Sequence, residues 1–258
     1  MDYGPDIPTA VEREIFAKPP LKAMIGQIRF PPVLRINDLA LLAAYQDAVR
    51  SEFPEYAPEQ QLNVVLGPAG PQNATVGPAY RFSTSDLAWS ILVTSESLSL
   101  EVAVAERYTN YDEFIQRFEL GWSALLQHFP PNRVTRQGLR YVDHIEGDLR
   151  PAEWARYINA DLLGPLIGAF GSGVEQAVSE LRFNRDDGVL VFKHGMIPAG
   201  PEGTKGYLLD FDYYNEDSTP ETSVASVVER FDRFHDLQYA FFRWCVTEEA
   251  IEGFRRGD

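Results

Sequence analysis

Two stretches of the chain follow the same pattern, and that repetition decides the predicted fold. The first is "GQIRFPPVLRINDLALLAAY", Gly26 to Tyr45, and the second is "QGLRYVDHIEGDLRPAEWARYI", Gln137 to Ile158. Each begins with a polar residue, an aliphatic residue, an arginine and an aromatic residue, followed by a bridge and a helix-like pattern. Alternation of this kind predicts a strand that leads into a helix. The repetition predicts two copies of one supersecondary unit.

The rest of each half follows the same order of predicted elements. A strand and a helix are followed by an antiparallel meander and a long helix, and the second half includes predicted helices at 151–163 and from about Thr219 onward. Arg29 and Arg140 are 111 positions apart, and Phe118 and Phe231 are 113 positions apart. We therefore predict an α+β fold whose two halves share one curved antiparallel sheet with helices on one face. The predicted divisions are an irregular lead-in and two halves, at residues 1–20, 21–132 and 133–258. This element order resembles tandem helix-grip units of the TATA-box-binding-protein type.

Composition limits the classes of function. The 258 residues carry a formal net charge of −15, which disfavours binding to long duplex DNA and permits a basic protein partner. A single cysteine, Cys245, excludes an internal disulfide. The sequence shows neither a signal-peptide pattern nor an apolar run of membrane-spanning length, so we expect a cytoplasmic protein without a membrane partner.

Strand alternation predicts a charged sheet face. In "IRF", "YRF", "LRY" and "LRF" the neighbours of the arginine are apolar, so the arginine points to the opposite side of the strand. The same argument applies to acidic residues in "LLDFDYY" and to one histidine. The candidate binding face consists of Arg29, Arg81, Arg136, Arg140, His144, Arg182, Asp210 and Asp212.

Two interpretations of this face remain open. Oppositely charged side chains on neighbouring strands can form ion pairs that keep the wet face of a sheet soluble. Planar guanidinium groups can also bind a carboxylate, a phosphate or a peptide laid across the strands. Tyr214 could add a stacking surface for single-stranded nucleic acid.

Recognisable catalytic patterns are missing from the sequence. The four histidines have no metal-ligand spacing, and neither a nucleophile elbow nor a phosphate-binding glycine loop occurs. Cys245 and His235 lie on or beside the apolar stripe of the last helix, where a buried inert thiol and a core-edge imidazole are expected. We therefore expect no cofactor, and we expect the protein to bind a partner rather than to catalyse a reaction. An unrecognised enzyme would use the neighbourhood of Arg140, His144, Asp210 and Asp212.

Four segments together resemble a sporadically distributed bacterial family of about 250 residues with no assigned activity. They are "PPLKAMIGQIRFPP", "YRFSTSDLAWSILVTSESLSLE", "PPNRVTRQGLRYVDHI" and "FHDLQYAFFRWCVTEEA". The resemblance covers nearly the whole chain and brings no catalytic residues with it. Its sporadic distribution implies mobile or defence-associated genes, such as toxin–antitoxin or anti-phage cassettes.

Two functional hypotheses follow. The first is a non-enzymatic interaction protein whose acidic exterior and open sheet face bind a protein partner, for instance a basic toxin. The alternative is a sensor that binds an anionic ligand or single-stranded nucleic acid on the arginine-bearing face.

Overall fold

The computed structural model describes residues 11–67, 70–102, 107–147, 149–198 and 205–256, without the side chains of 61–76. The first ten residues of the predicted lead-in lie outside this range. The strands are β1 (Leu21–Arg29), β2 (Glu55–Gly67), β3 (Gly70–Ser83), β4 (Trp89–Thr94), β5 (Ser97–Val102), β6 (Arg136–Glu146), β7 (Ala177–Arg185), β8 (Gly188–Pro198) and β9 (Lys205–Asn215). The α-helices are α1 (Leu39–Val49), α2 (Tyr111–His128), α3 (Val224–Cys245) and α4 (Glu248–Arg256).

The structure confirms the predicted α+β class with an antiparallel sheet. The pairings β2–β3, β3–β4, β4–β5, β7–β8 and β8–β9 are all antiparallel. Among the described helices, none has the length and apolarity needed to cross a membrane. The predicted duplication stays a prediction.

The chain divides into two compact units, each taken as far as it is described. The first unit comprises Met1–Met24, Gly138–Asn215 and Glu229–Asp258. The second unit comprises Ile25–Gln137 and Glu216–Val228. Strands β1 and β6 and helix α3 each contribute residues to both units.

The second unit packs α1 and α2 on strands ordered β2-β3-β4-β5-β1. The side chain of Asn110 accepts a hydrogen bond from the Glu113 amide at 2.9 Å and thereby caps α2. A Cβ at Gly121 would lie 2.8 Å from the Ile91 side chain, so this glycine lets the helix approach β4 closely. Tyr45 donates its hydroxyl to the Gly121 carbonyl at 3.3 Å, which joins α1 to α2.

The first unit has the strand order β6-β9-β8-β7, and α3 supplies aromatic side chains to its core. The Phe192 ring centroid lies 4.8 Å from the centroids of both Phe211 and Phe241. Phe241 belongs to α3, and the two other rings belong to β8 and β9. Gln238 of α3 donates its side-chain amide to the carbonyl of Leu139 at 2.8 Å, which fixes the helix to β6.

Two predicted helices differ from the structure. The stretch 151–163 forms 3₁₀ turns, at Pro151–Arg156 and Ala160–Leu162, rather than an α-helix. Asn159 interrupts the pattern because its side chain accepts from the Asp161 amide at 3.1 Å and donates to the Trp244 carbonyl at 3.0 Å. The closing helix is likewise two helices, since Val246 leaves α3 to form a bridge with Ile158.

A glycine of β9 makes room for a histidine of β6. A Cβ at Gly206 would lie 1.8 Å from His144 Nε2, so the imidazole occupies the space above the glycine. We expect Gly206→Ala to destabilise the protein by about 1–2 kcal/mol, because the half-buried ring must move. Urea denaturation measures the change, and the further substitution His144→Ala should remove most of it. Gly253→Ala, where nothing lies within 4 Å of the added Cβ, is the matched control. Equal effects of Gly206→Ala with and without His144 would contradict the expectation.

Candidate binding face

The candidate residues Arg29, Arg81 and Arg136 lie in the second unit, and Arg140, His144, Arg182, Asp210 and Asp212 lie in the first. Two of the arginines, Arg81 and Arg140, bind a carboxylate of the adjacent strand.

Arg81 is held by two carboxylates of its own sheet. Its guanidinium donates to Glu59 at 2.5 Å and to Glu101 at 2.9 Å. Hydrogen bonds to Glu59, with a smaller contribution from Glu101, raise the pKa of Arg81 above its ordinary value. The guanidinium group of Arg81 is therefore already bound by carboxylates of the protein itself.

One amide joins the two other arginines of the second unit. The side-chain oxygen of Gln27 accepts from Arg29 Nε at 2.9 Å and from an Arg136 terminal nitrogen at 3.3 Å. The amide nitrogen of Gln27 donates to Ser99 at 3.0 Å. Arg136 also lies 3.8 Å from a carboxylate oxygen of Glu216. Arg29 is the more exposed of the two arginines.

In the first unit, Arg140 and Asp210 form a two-pronged ion pair. Both donor–acceptor distances are 2.8 Å. The side chain of Asp210 is 8% exposed and that of Arg140 is 44% exposed. A partly exposed guanidinium therefore covers a buried carboxylate. The hydrogen bonds to Asp210, helped by its charge and that of Asp212, raise the pKa of Arg140. Both oxygens of this buried carboxyl group are therefore bound by the arginine.

Arg182 makes a different kind of contact. It donates to the hydroxyl of Tyr214 at 3.0 Å, and its guanidinium carbon lies 6.0 Å from the centre of that ring. Arg182 is exposed and Tyr214 is half-buried. The pair presents a cation beside an aromatic ring, which is the combination that anions and unpaired bases can use.

His144 is held by packing. Its backbone amide donates to the carbonyl of Pro20 at 2.8 Å, and its Nε2 is buried without a hydrogen-bond partner among the described residues. Burial lowers the pKa of His144, against a smaller opposing effect of Glu146. The structure therefore favours the neutral imidazole.

Sequence reasoning missed a buried polar set on the opposite side of β6. Tyr141 and Asp143 alternate with Arg140 and His144, and the hydroxyl of Tyr141 lies 2.8 Å from His235 Nδ1 of α3. Burial, with a smaller effect of Asp210, raises the pKa of Asp143 to about 7. The same alternation that placed the arginines could have identified these residues, because they share the parity of Leu139.

His235 and Cys245, which lie near this set, favour their neutral forms. Burial, assisted by Arg13, lowers the pKa of His235 to about 3. Burial also raises the pKa of Cys245 well above its ordinary value, with a further effect of Asp143. These residues form an uncharged interior at neutral pH apart from the titrating Asp143. Among the described residues, no group of three histidine, cysteine, aspartate or glutamate side chains is placed to hold a metal ion.

A surface hollow of about 410 Å³ lies in the second unit. It is lined by Thr84, Ser85, Asp86, Trp89, Arg107, Glu113 and Arg117. The guanidinium of Arg117 lies 4.6 Å from the centre of the Trp89 ring and 2.7 Å from a carboxylate oxygen of Glu113. Arg107, the second cation of the hollow, lies 3.7 Å from a carboxylate oxygen of Asp86, so both cations are paired within the protein.

Compared with known proteins, the chain matches no family model and no curated protein sequence.

The ion pair of Arg140 should matter more to stability than the pair between Lys193 and Glu180, whose charged atoms lie 3.1 Å apart. We expect Arg140→Ala to lower the free energy of unfolding by about 1–2 kcal/mol, because Asp210 is left buried without its fork. The further change Asp210→Asn should restore part of the loss. Lys193→Ala is the control and should cost less than about 0.5 kcal/mol, because its partner Glu180 is 58% exposed and stays hydrated without the lysine. Similar losses for Arg140→Ala and Lys193→Ala in urea denaturation would contradict this expectation.

Asp143 should make stability depend on pH. Its pKa of about 7 in the folded protein lies above the value of about 3.9 expected for an unfolded chain. Between these values the folded protein keeps the proton and the unfolded chain loses it, so stability falls as the pH rises, by up to about 1.4 kcal/mol per pH unit. An asparagine at this position cannot titrate, so the stability gained by Asp143→Asn should increase from about pH 5 to about pH 8. Urea denaturation across this range measures the difference, from which the contribution of His235 cancels. A difference that does not change with pH would contradict the assignment.

Proposed function

We propose that the protein acts by binding a basic partner protein rather than by catalysis. The observation that carries the proposal is an uninterrupted acidic segment, 206–229, which contains six carboxylates and no lysine or arginine. The loop between β9 and α3 exposes Glu216, Asp217 and Glu221 of this segment. A negative surface of this kind attracts positively charged proteins and accelerates their association.

The pairing of the arginines supports the same proposal. The guanidinium groups of Arg81 and Arg140 already bind carboxylates of other strands in their own unit. An incoming anion would have to displace Glu59, Glu101 or Asp210 before it could use either fork. A partner would therefore interact with the excess negative charge of the protein rather than with these two arginines. The duplicated helix-grip arrangement and the defence-associated setting inferred from the sequence belong to this proposal.

One observation favours the alternative function. Arg182 and Tyr214 place an exposed guanidinium and an aromatic ring together, as described above. An anionic ligand or a single-stranded nucleic acid could stack on the ring and pair with the cation. This candidate uses two side chains, whereas the loop between β9 and α3 exposes three carboxylates.

The test has two steps. The tagged protein is used to capture ligands from a bacterial lysate at about 50 mM salt, and bound material is released at about 500 mM and analysed by mass spectrometry and ultraviolet absorbance. A captured protein is then purified and titrated by calorimetry at several salt concentrations. We expect a basic protein whose affinity falls as the salt concentration rises.

Charge-neutralised variants locate the binding surface. The combination Glu216→Gln, Asp217→Asn and Glu221→Gln should weaken binding by at least about tenfold. Its control, Glu52→Gln, Glu55→Gln and Glu96→Gln, removes the same net charge from other exposed positions and should change affinity less than about threefold. A protein whose binding ignores both salt and these variants would overturn the proposal. Captured nucleic acid or a small anion, lost in Arg182→Glu, would replace it with the alternative.

A further inference from the structure

Strand β7 lies at one end of the strand order, and among the described strands it pairs only with β8. Six of its nine residues are exposed. The N–H and C=O groups along its outer side therefore have no partner strand in the described part of the chain. Such an edge is a template on which another strand can add.

This edge lacks several of the features that commonly block strand addition. Proteins protect exposed edges with proline, with a bulge or with charged side chains, above all lysine; of these, β7 carries only the charges of Glu180, Arg182 and Arg185. The sequence "AVSELRFNR" of β7 contains neither proline nor lysine, and its register with β8 is continuous from Ala177 to Arg185. Strand β2, the terminal strand in the order of the second unit, carries Pro58 and a register shift between Gln61 and Leu62. Of these two terminal strands, β7 is the one left suitable for pairing.

Apolar side chains are exposed on and near this strand. Val178 is 47% exposed and Leu181 is 41% exposed. Ile167 and Phe170, in the turns that precede β7, are 50% and 85% exposed. These four are most of the large apolar side chains that the described part of the first unit leaves exposed. Their concentration before and along one strand is typical of an interaction surface.

We propose that β7 pairs antiparallel with β7 of a second copy of this chain, about a two-fold axis at Leu181. In this register Glu180 of each copy lies opposite Arg182 of the other, and the two Leu181 side chains meet. Opposite charges on directly facing positions stabilise an antiparallel pair, and a two-fold axis makes each contact occur twice. The strand is thus complementary to itself.

The charges also select this register. The two-fold axis runs perpendicular to the sheet, so each residue points to the same side of the sheet in both copies. The pairing register can therefore shift only in steps that keep facing residues on the same side. The neighbouring allowed registers place Glu180 against Glu180 or Arg182 against Arg182. Like charges that face each other directly destabilise the pair. Only the register centred on Leu181 has both charge pairs in attractive positions.

Existing contacts are compatible with this pairing. Glu180 lies 3.1 Å from Lys193 and Arg182 contacts Tyr214, so both side chains lie over strands on the inner side of β7. Both Glu180 and Arg182 are exposed, which leaves them accessible from the outer side. Each carboxylate could therefore accept from Lys193 of its own chain and from Arg182 of the second copy. This inference does not depend on the basic-partner proposal.

Sedimentation velocity at about 150 mM salt tests the pairing, because long-range repulsion between two acidic copies is then screened beyond about 8 Å. We expect the unsubstituted protein to dimerise with increasing concentration. Glu180→Arg alone or Arg182→Glu alone should weaken the dimer by at least about tenfold, because each creates like-charge pairs. Glu229→Arg makes the same charge change at an exposed helix position and should leave the dimer unchanged.

Charge exchange distinguishes pairing at this edge from general destabilisation. A chain carrying both Glu180→Arg and Arg182→Glu restores attraction at both positions and should dimerise again. A mixture of the two single variants should form a heterodimer, since one copy then presents two positive charges and the other two negative charges. A monomeric unsubstituted protein, or single variants that neither lose the dimer nor recover it on mixing, would overturn the proposal.

Discussion

The alternation of side chains along β6 is the constraint on which the rest of the site depends. Tyr141 and Asp143 point toward α3 and the interior of the first unit, while Arg140 and His144 point to the other side. One strand thus provides a contact to α3 and an ion pair with β9 in consecutive residues. The position of α3, the ion pair with β9 and the buried carboxyl group all follow from this two-sided arrangement.

Two buried acidic residues, Asp143 on β6 and Asp210 on β9, are accommodated by different physical means. Asp210 is held by Arg140, which lies against it with two hydrogen bonds. Asp143 has no such fork, and burial instead raises its pKa until the proton is retained near neutral pH. Counter-charge and protonation are the two general ways to place a carboxyl group inside a protein. This unit uses both, on opposite sides of neighbouring strands.

Sequence reasoning predicts the regular elements better than their contacts. Helix α2 and strand β6 follow from strong periodicity, and the parity of the arginines follows from the apolar residues beside them. The pattern at 151–163 predicts a helix where the structure has turns, because local propensity does not include the bonds of Asn159 to distant backbone. The partners of Arg81 and Arg140 could not be predicted, because the register that brings Glu59 and Asp210 to them depends on distant strands. The inward orientation of Asp143 could have been predicted, because this residue shares the strand parity of the apolar Leu139.

The buried thiol of Cys245 has a practical consequence. It is the single cysteine of the chain, and its side chain is inaccessible in the folded first unit. A thiol-specific reagent can react with it only when the end of α3 opens, and the raised pKa slows the reaction further. The rate of modification therefore reports how often this part of the protein opens under native conditions. The chain contains its own probe of local unfolding, without an introduced label.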